Sequence, residues 1–113
     1  MTAGQELGRR GEDAAASHYE SLGFIVERNW RCSRGELDLV CTRGELVVFC
    51  EVKTRSSPRF GHGVEAVDWR KQRKLRQLAG VWLSEQRVGF DELRFDVADV
   101  DARGHLQLFE NCM

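Results

Sequence analysis

The sequence predicts an α/β fold, a mixed sheet flanked by helices with elements in the order αβββαββ. Two segments, Gln5 to Leu22 and Trp69 to about Gln86, repeat apolar or small residues near the 3.6-residue helical period. Between them lie three apolar runs of strand length, "FIVERNW", "ELDLVC" and "LVVFCEVKT". After the second helix come "LRFDVADV" and "HLQLFE", separated by the turn signal "DARG". A chain of 113 residues, 42% hydrophobic and 31% charged, has the size and composition of one domain.

In the first helix the expected buried stripe is Leu7, Gly11, Ala14, Ala15, His18 and Leu22, and Gly23 is a C-terminal stop. The third strand is apolar on both faces before its charges begin, which predicts a central strand covered above and below. A turn at Thr42 to Gly44 would pair it with the second strand as a hairpin. The stretch "RSSPRFGHG" holds the only proline and no apolar period, and reads as a loop. Asp68 is the expected N-cap of the second helix, whose buried stripe is Leu75, Leu78, Ala79 and Trp82.

Composition excludes several classes. No apolar run approaches the roughly 18 residues of a membrane span, and the N-terminal residues lack the apolar core of a signal peptide, so a cytoplasmic protein without a membrane partner is expected. Cys32, Cys41, Cys50 and Cys112 have neither disulfide-framework nor zinc-site spacing. Ser33, Ser56 and Ser57 lack a nucleophile-elbow context, and "GRRGE" is not a phosphate loop. A lone loop histidine, His62, is more often solvated than catalytic.

The net charge of −1 conceals a division: residues 1–51 sum to −3, 52–80 to +6 and 81–113 to −4. The basic block is either a solvated helix face or a nucleic-acid contact. Its cations Arg55, Arg59, Arg70, Lys71, Arg73, Lys74 and Arg76 suit phosphate contacts, which position nucleic acid without reading its sequence.

Three charges interrupt the hairpin "GELDLVCTRGELVVFCEVKTR". Strand alternation puts Val47, Phe49, Glu51 and Lys53 on one face, Glu51 and Lys53 roughly 7 Å apart, and Asp38 can share that face from the neighbouring strand. One reading is an ion cluster where the strand leaves the core, although desolvation can offset its Coulombic gain. The other is a hard-metal site, in which Asp38, Glu51 and the Val52 carbonyl offer oxygen ligands for Mg²⁺ or Mn²⁺ and Lys53 holds a water. Glu12 borders the first helix's stripe beside the small residues Gly8, Gly11 and Ala15; it is a further acid candidate or simply a charge favoured by the helix dipole. Lys71 and Gln72 flank the second helix's stripe at its start, which fits either a polar cavity or a frayed terminus.

The stretches "GRRGEDAAASHYESLGF", "RNWRCSRGELDLVCTRGELVVFCEVKTRSS" and "GVEAVDWRKQRKLRQLAGVWL", continuing through "LRFDVADV", resemble the YraN-like family of small bacterial proteins. That family is similar to the PD-(D/E)xK nuclease superfamily, with a restriction-endonuclease-like fold closest to archaeal Holliday-junction resolvases. The acid-x₁₂-acid-x-lysine spacing alone is loose; the surrounding "GELDLV", "EVKTR" and "KQRKL" make it specific. The resemblance implies that Asp38 and Glu51 bind the metal, that Lys53 is the catalytic lysine, that Glu12 assists metal binding, and that Gln72 is a polar residue facing the site. Leu37 stands where the superfamily motif has proline, as is common in resolvase-like branches. The implied activity is Mg²⁺- or Mn²⁺-dependent hydrolysis of branched or structured DNA by metal-activated water, for which a homodimer would suit a two-fold junction. The alternative is a nucleic-acid-binding or adaptor protein that keeps the fold without turnover.

Overall fold

The computed structural model describes residues 2–55 and 67–113. Arg59, His62 and most of the loop that contains them lie outside the described residues. The elements are α1 (Ala3–Ser21), β1 (Ile25–Cys32), β2 (Gly35–Arg43), β3 (Leu46–Thr54), α2 (Trp69–Ser84), β4 (Glu92–Val100) and β5 (Leu106–Phe109). The order is the expected αβββαββ, and the architecture is compatible with a restriction-endonuclease-like fold.

The strands form one sheet in the order β1-β2-β3-β4-β5. β1, β2 and β3 are an antiparallel meander, β3 and β4 run parallel, and β5 returns antiparallel on β4. A parallel pair requires a crossover connection, and this one carries α2. The β2–β3 turn falls at Gly44 and Glu45, later than expected: Arg43 still pairs with Leu46, and Gly44 takes the positive φ of 58° that a two-residue turn demands.

β3 is central, and its two faces build two cores. Val47 and Phe49 pack with Val40 and Val97 against Leu75, Leu78, Ala79 and Trp82 of α2. This stripe is the expected one, and Asp68 caps the helix by accepting from the Lys71 amide. On the other face Val48 and Cys50 pack with Leu39, Cys41 and Ala98 against α1. Cys41 and Cys50 are reduced core residues here, and burial pushes the Cys41 thiol up to about 12.

α1 differs from its expected reading in two ways. It begins at Ala3 behind a capping box, in which the Thr2 hydroxyl accepts from the Gln5 amide and the Gln5 side chain accepts from the Thr2 amide. Its buried face is Gly11, Ala15, Ala16 and Tyr19, while Leu22 stays exposed. Leu22 lies one residue past the helix, and Tyr19 enters the core because its hydroxyl donates a 2.6 Å hydrogen bond to buried Asp96, which satisfies its polar end.

Gly11 fixes how closely α1 meets the sheet. A Cβ there would overlap Thr54 Cγ2 at the end of β3, whereas Gly8 has open space around it. Only one of the two glycines is therefore a close-approach residue. Gly11→Ala is expected to cost about 1–3 kcal/mol in a denaturant melt, the usual range for overpacking. Thr54→Ser, which deletes the obstructing methyl, should recover most of that loss in the double variant.

Candidate active site at the divergence of β2 and β3

The β2–β3 ladder runs from Arg43–Leu46 to Leu39–Cys50 and stops there. Continuing it would pair Asp38 with Glu51, but the Asp38 carboxylate instead accepts the Val52 amide at 2.9 Å. The side-chain alternation of β2 also slips at this point. Leu37 and Val40, an odd number of residues apart, lie in the same core on the α2 side. On β1, Asn29 adopts φ 54° and drops out of the β1–β2 register between Arg28–Leu39 and Trp30–Leu37. Such irregularities re-aim side chains beside functional sites.

The divergence gathers charge. Glu51 is 6% exposed on the α2 side of β3. Its Oε1 lies 3.6 Å from Lys53 Nζ and 3.4 Å from Lys71 Nζ, so the first turn of α2 reaches the site as the inward position of Lys71 suggests. Gln72 is nearby in sequence, but its amide donates to the Val67 carbonyl at 3.0 Å and secures the entry to the helix. Glu12 approaches from α1 and is held by Arg28 at 3.7 Å and by the Asn29 amide at 3.2 Å.

Asp38 registers this crowding. Burial, then the Glu51 charge, raise its carboxyl from 3.8 to about 7; Glu12 adds to the rise, while the Val52 amide and Lys71 oppose it. The structure thus brings Glu51, Glu12 and Lys71 into electrostatic reach of Asp38, with Lys53 and Lys71 paired to Glu51.

Among the described residues, no group of three or more His, Cys, Asp and Glu side chains is placed to hold a metal ion. The donor set that remains is the Asp38–Glu51 pair. Hard divalent cations such as Mg²⁺ keep several waters and are commonly held by one or two carboxylates, so the chemistry of this pair fits such an ion. The Val52 carbonyl is not needed for that fit; its amide is what touches Asp38.

The basic residues separate into two groups. Arg55 is anchored: its Nε donates to both oxygens of fully buried Asp99 at 3.0 and 3.2 Å. Asp99 pairs in register with Lys53, so Arg55 neutralises a buried acid beside the catalytic candidate. Arg70, Arg73 and Lys74 are exposed on α2. A cleft of about 420 Å³ at the β1–β2 turn adds Arg31 and Arg34. It borders Gly35, where a Cβ would sit 3.4 Å from Lys74 Cε, so the cations of the turn and the helix adjoin.

Asn29 and Asp99 escaped the sequence reading. Asn29 has no signal beyond the tolerance of Asn for positive φ; Asp99 has none in the sequence, since burial of a strand acid is set by its partner Arg55.

The raised Asp38 value makes stability fall with pH. Between 3.8 and about 7 the folded protein keeps a proton that the unfolded chain has already lost, so stability is full below this window and is lost as pH rises through it. Asp38→Asn retains an acceptor for the Val52 amide and removes the titration. It is expected to be more stable than the parent by about 1–3 kcal/mol at pH 8, with little difference at pH 4, in paired denaturant melts.

Comparison with known proteins agrees with the extent of this architecture. Residues 11–100, from the close-approach glycine to the end of β4, match the sequence profile of the uncharacterised protein family UPF0102. UPF0102 proteins of Frankia casuarinae and Frankia alni are 53% and 51% identical over 98 residues, which cover 86% of this chain and 83% and 82% of theirs. One from Clavibacter michiganensis is 48% identical over 101 residues, 88% of this chain and 86% of its own. With the profile spanning the second half of α1, all of α2 and four strands, and the identity extending over most of each relative, the chain belongs to the UPF0102 family.

Proposed function

We propose that the protein is a divalent-metal-dependent nuclease that hydrolyses DNA phosphodiesters at branched or structured sites. The observation that carries this reading is the pair Asp38 and Glu51, two acids held together at the parting of β2 and β3 with Lys53 against one of them. Ion pairing for stability accounts poorly for it, because Asp38 is driven toward protonation rather than compensated.

In this reading Asp38 and Glu51 hold the cation. A bound Mg²⁺ or Mn²⁺ supplies Lewis acidity toward the phosphodiester and lowers the pKa of a water. The Lys53 ammonium orients the attacking water and counters charge that develops on the phosphate. Glu12, kept near Asp38 by Arg28 and Asn29, supports the acid pair from α1. Arg70, Lys71, Arg73 and Lys74 line the approach along α2 and meet the backbone of the nucleic acid.

A second reading, binding without turnover, draws on a specific observation: Glu51 already faces two ammonium groups and Glu12 a guanidinium. The two readings separate on cleavage of junction, flap and duplex DNA with Mg²⁺ or Mn²⁺ and with EDTA. Metal-dependent cleavage is expected, lowered at least about 100-fold by Asp38→Ala or Lys53→Ala. Undiminished cleavage by either purified variant sinks the mechanism. Metal-independent binding with no cleavage of any of these substrates favours the second reading.

A further inference from the structure

α2 carries five cations, Arg70, Lys71, Arg73, Lys74 and Arg76, and no acid in its 16 residues. Its first residue is a tryptophan left 64% exposed. Single exposed apolar residues are ordinary on protein surfaces. Trp69 is unusual because of its company. Among the described residues the other exposed large hydrophobics are the aliphatic Leu22, Ile25, Val88 and Leu93, whereas Trp69 is an aromatic plate set among cations.

At 100° per residue Trp69 lies within 40° of Arg73 and on the side of α2 opposite the buried stripe. The Arg70 guanidinium rests 5.4 Å from its ring centre. Lys71, two residues along, turns back to Glu51 at 3.4 Å. The ring and the acid pair thus flank the same helical turn, which is about 10–12 Å across with its side chains. A strand whose phosphates follow Arg70, Arg73 and Lys74 would bring its bases over the indole.

We propose that Trp69 is a base-stacking platform for unpaired nucleotides beside the cleavage site, backed by the Arg70 guanidinium. The proposal rests on the nuclease reading for the position of Trp69 on the substrate path, and it narrows the substrate class to DNA with single-stranded character at that point. Every base offers a π-face, so the platform tolerates any sequence, while the surrounding cations hold the backbone. Paired bases are stacked inside a duplex and cannot use it.

The test measures binding in EDTA, so that its outcome is separate from cleavage. Tryptophan fluorescence and anisotropy are followed with a dT12 strand, an abasic sugar-phosphate strand of equal length, a blunt duplex, and anionic phospholipid vesicles. Stacking predicts quenching by dT12 alone and affinity for it about ten-fold above the abasic strand. Trp69→Ala should abolish both the quenching and the preference, and Trp69→Tyr should keep a clear preference. Equal affinity for the two strands, an unchanged preference in Trp69→Ala, no binding of dT12, or a fluorescence response to vesicles but not to DNA each overturns the platform. Base-dependent binding without metal-dependent cleavage would overturn only the nuclease reading; cleavage without base-dependent binding would overturn only the platform.

Discussion

A carboxylate takes over from a backbone carbonyl where Asp38 accepts the Val52 amide, and the rest of the site follows from that substitution. Up to Leu39–Cys50 the β2–β3 ladder satisfies backbone groups in the ordinary way. Beyond it the strands separate, and a half-buried amide would go unpaired without the Asp38 side chain. The parting adjoins the two cores that β2 and β3 build on their faces. Asp38 is consequently fixed by the fold at the point where Glu51 enters from the next strand.

Elsewhere, buried acids of β4 and of the residue that follows it tie elements together. Asp96 accepts from the Tyr19 hydroxyl, from Arg94 and from the Asn111 amide, tying α1 and the C-terminal residues to the sheet. Asp99 is matched by Arg55 at the end of β3. Asp101 accepts from the Arg103 and His105 amides and closes the turn before β5. Each buried carboxylate has its donors, and no buried side-chain polar atom among the described residues lacks one. Charge on β4 is thus spent on locking elements together, whereas charge on β2 and β3 crowds at an opening.

That contrast also separates what was legible in the sequence from what was not. Periodicity and turn residues were enough for both helices, all five strands and the α2 stripe, because burial of apolar side chains decides them. Breaks in the pattern pointed to Asp38, Glu51 and Lys53, since local rules tend to fail at sites. Partner choice lay beyond such signals. Tyr19 joins the buried face of α1 because of an acid 77 residues away. Arg55 resembled its basic neighbours until its partner Asp99, brought alongside by parallel pairing of β3 and β4, identified it as part of the scaffold. The twist at Asn29 likewise depends on carboxylates from α1 and β2, to which its amide donates at 3.2 and 2.9 Å.

The charge balance of the opening explains why the burden falls on one residue. Glu51 has two ammonium groups within 3.6 Å, and Glu12 has Arg28. Among the described residues Asp38 has no lysine or arginine at ion-pair distance, only the Val52 amide, and so burial, then the Glu51 charge, lead it to hold a proton near neutrality. A protein selecting solely for stability would place an amide or an apolar residue there, because a buried acid that must shed its proton weakens the fold above its own pKa. Retaining the acid keeps an excess of negative charge where β2 and β3 part. A divalent cation would answer that excess more completely than the proton does, and in sharing Glu51 it would compete with Lys53 and Lys71 for the same oxygen. Within the nuclease reading, Asp38 and Glu51 would hold the cation, and Lys53 and Lys71, the ammonium groups beside Glu51, would be the side chains that meet phosphate.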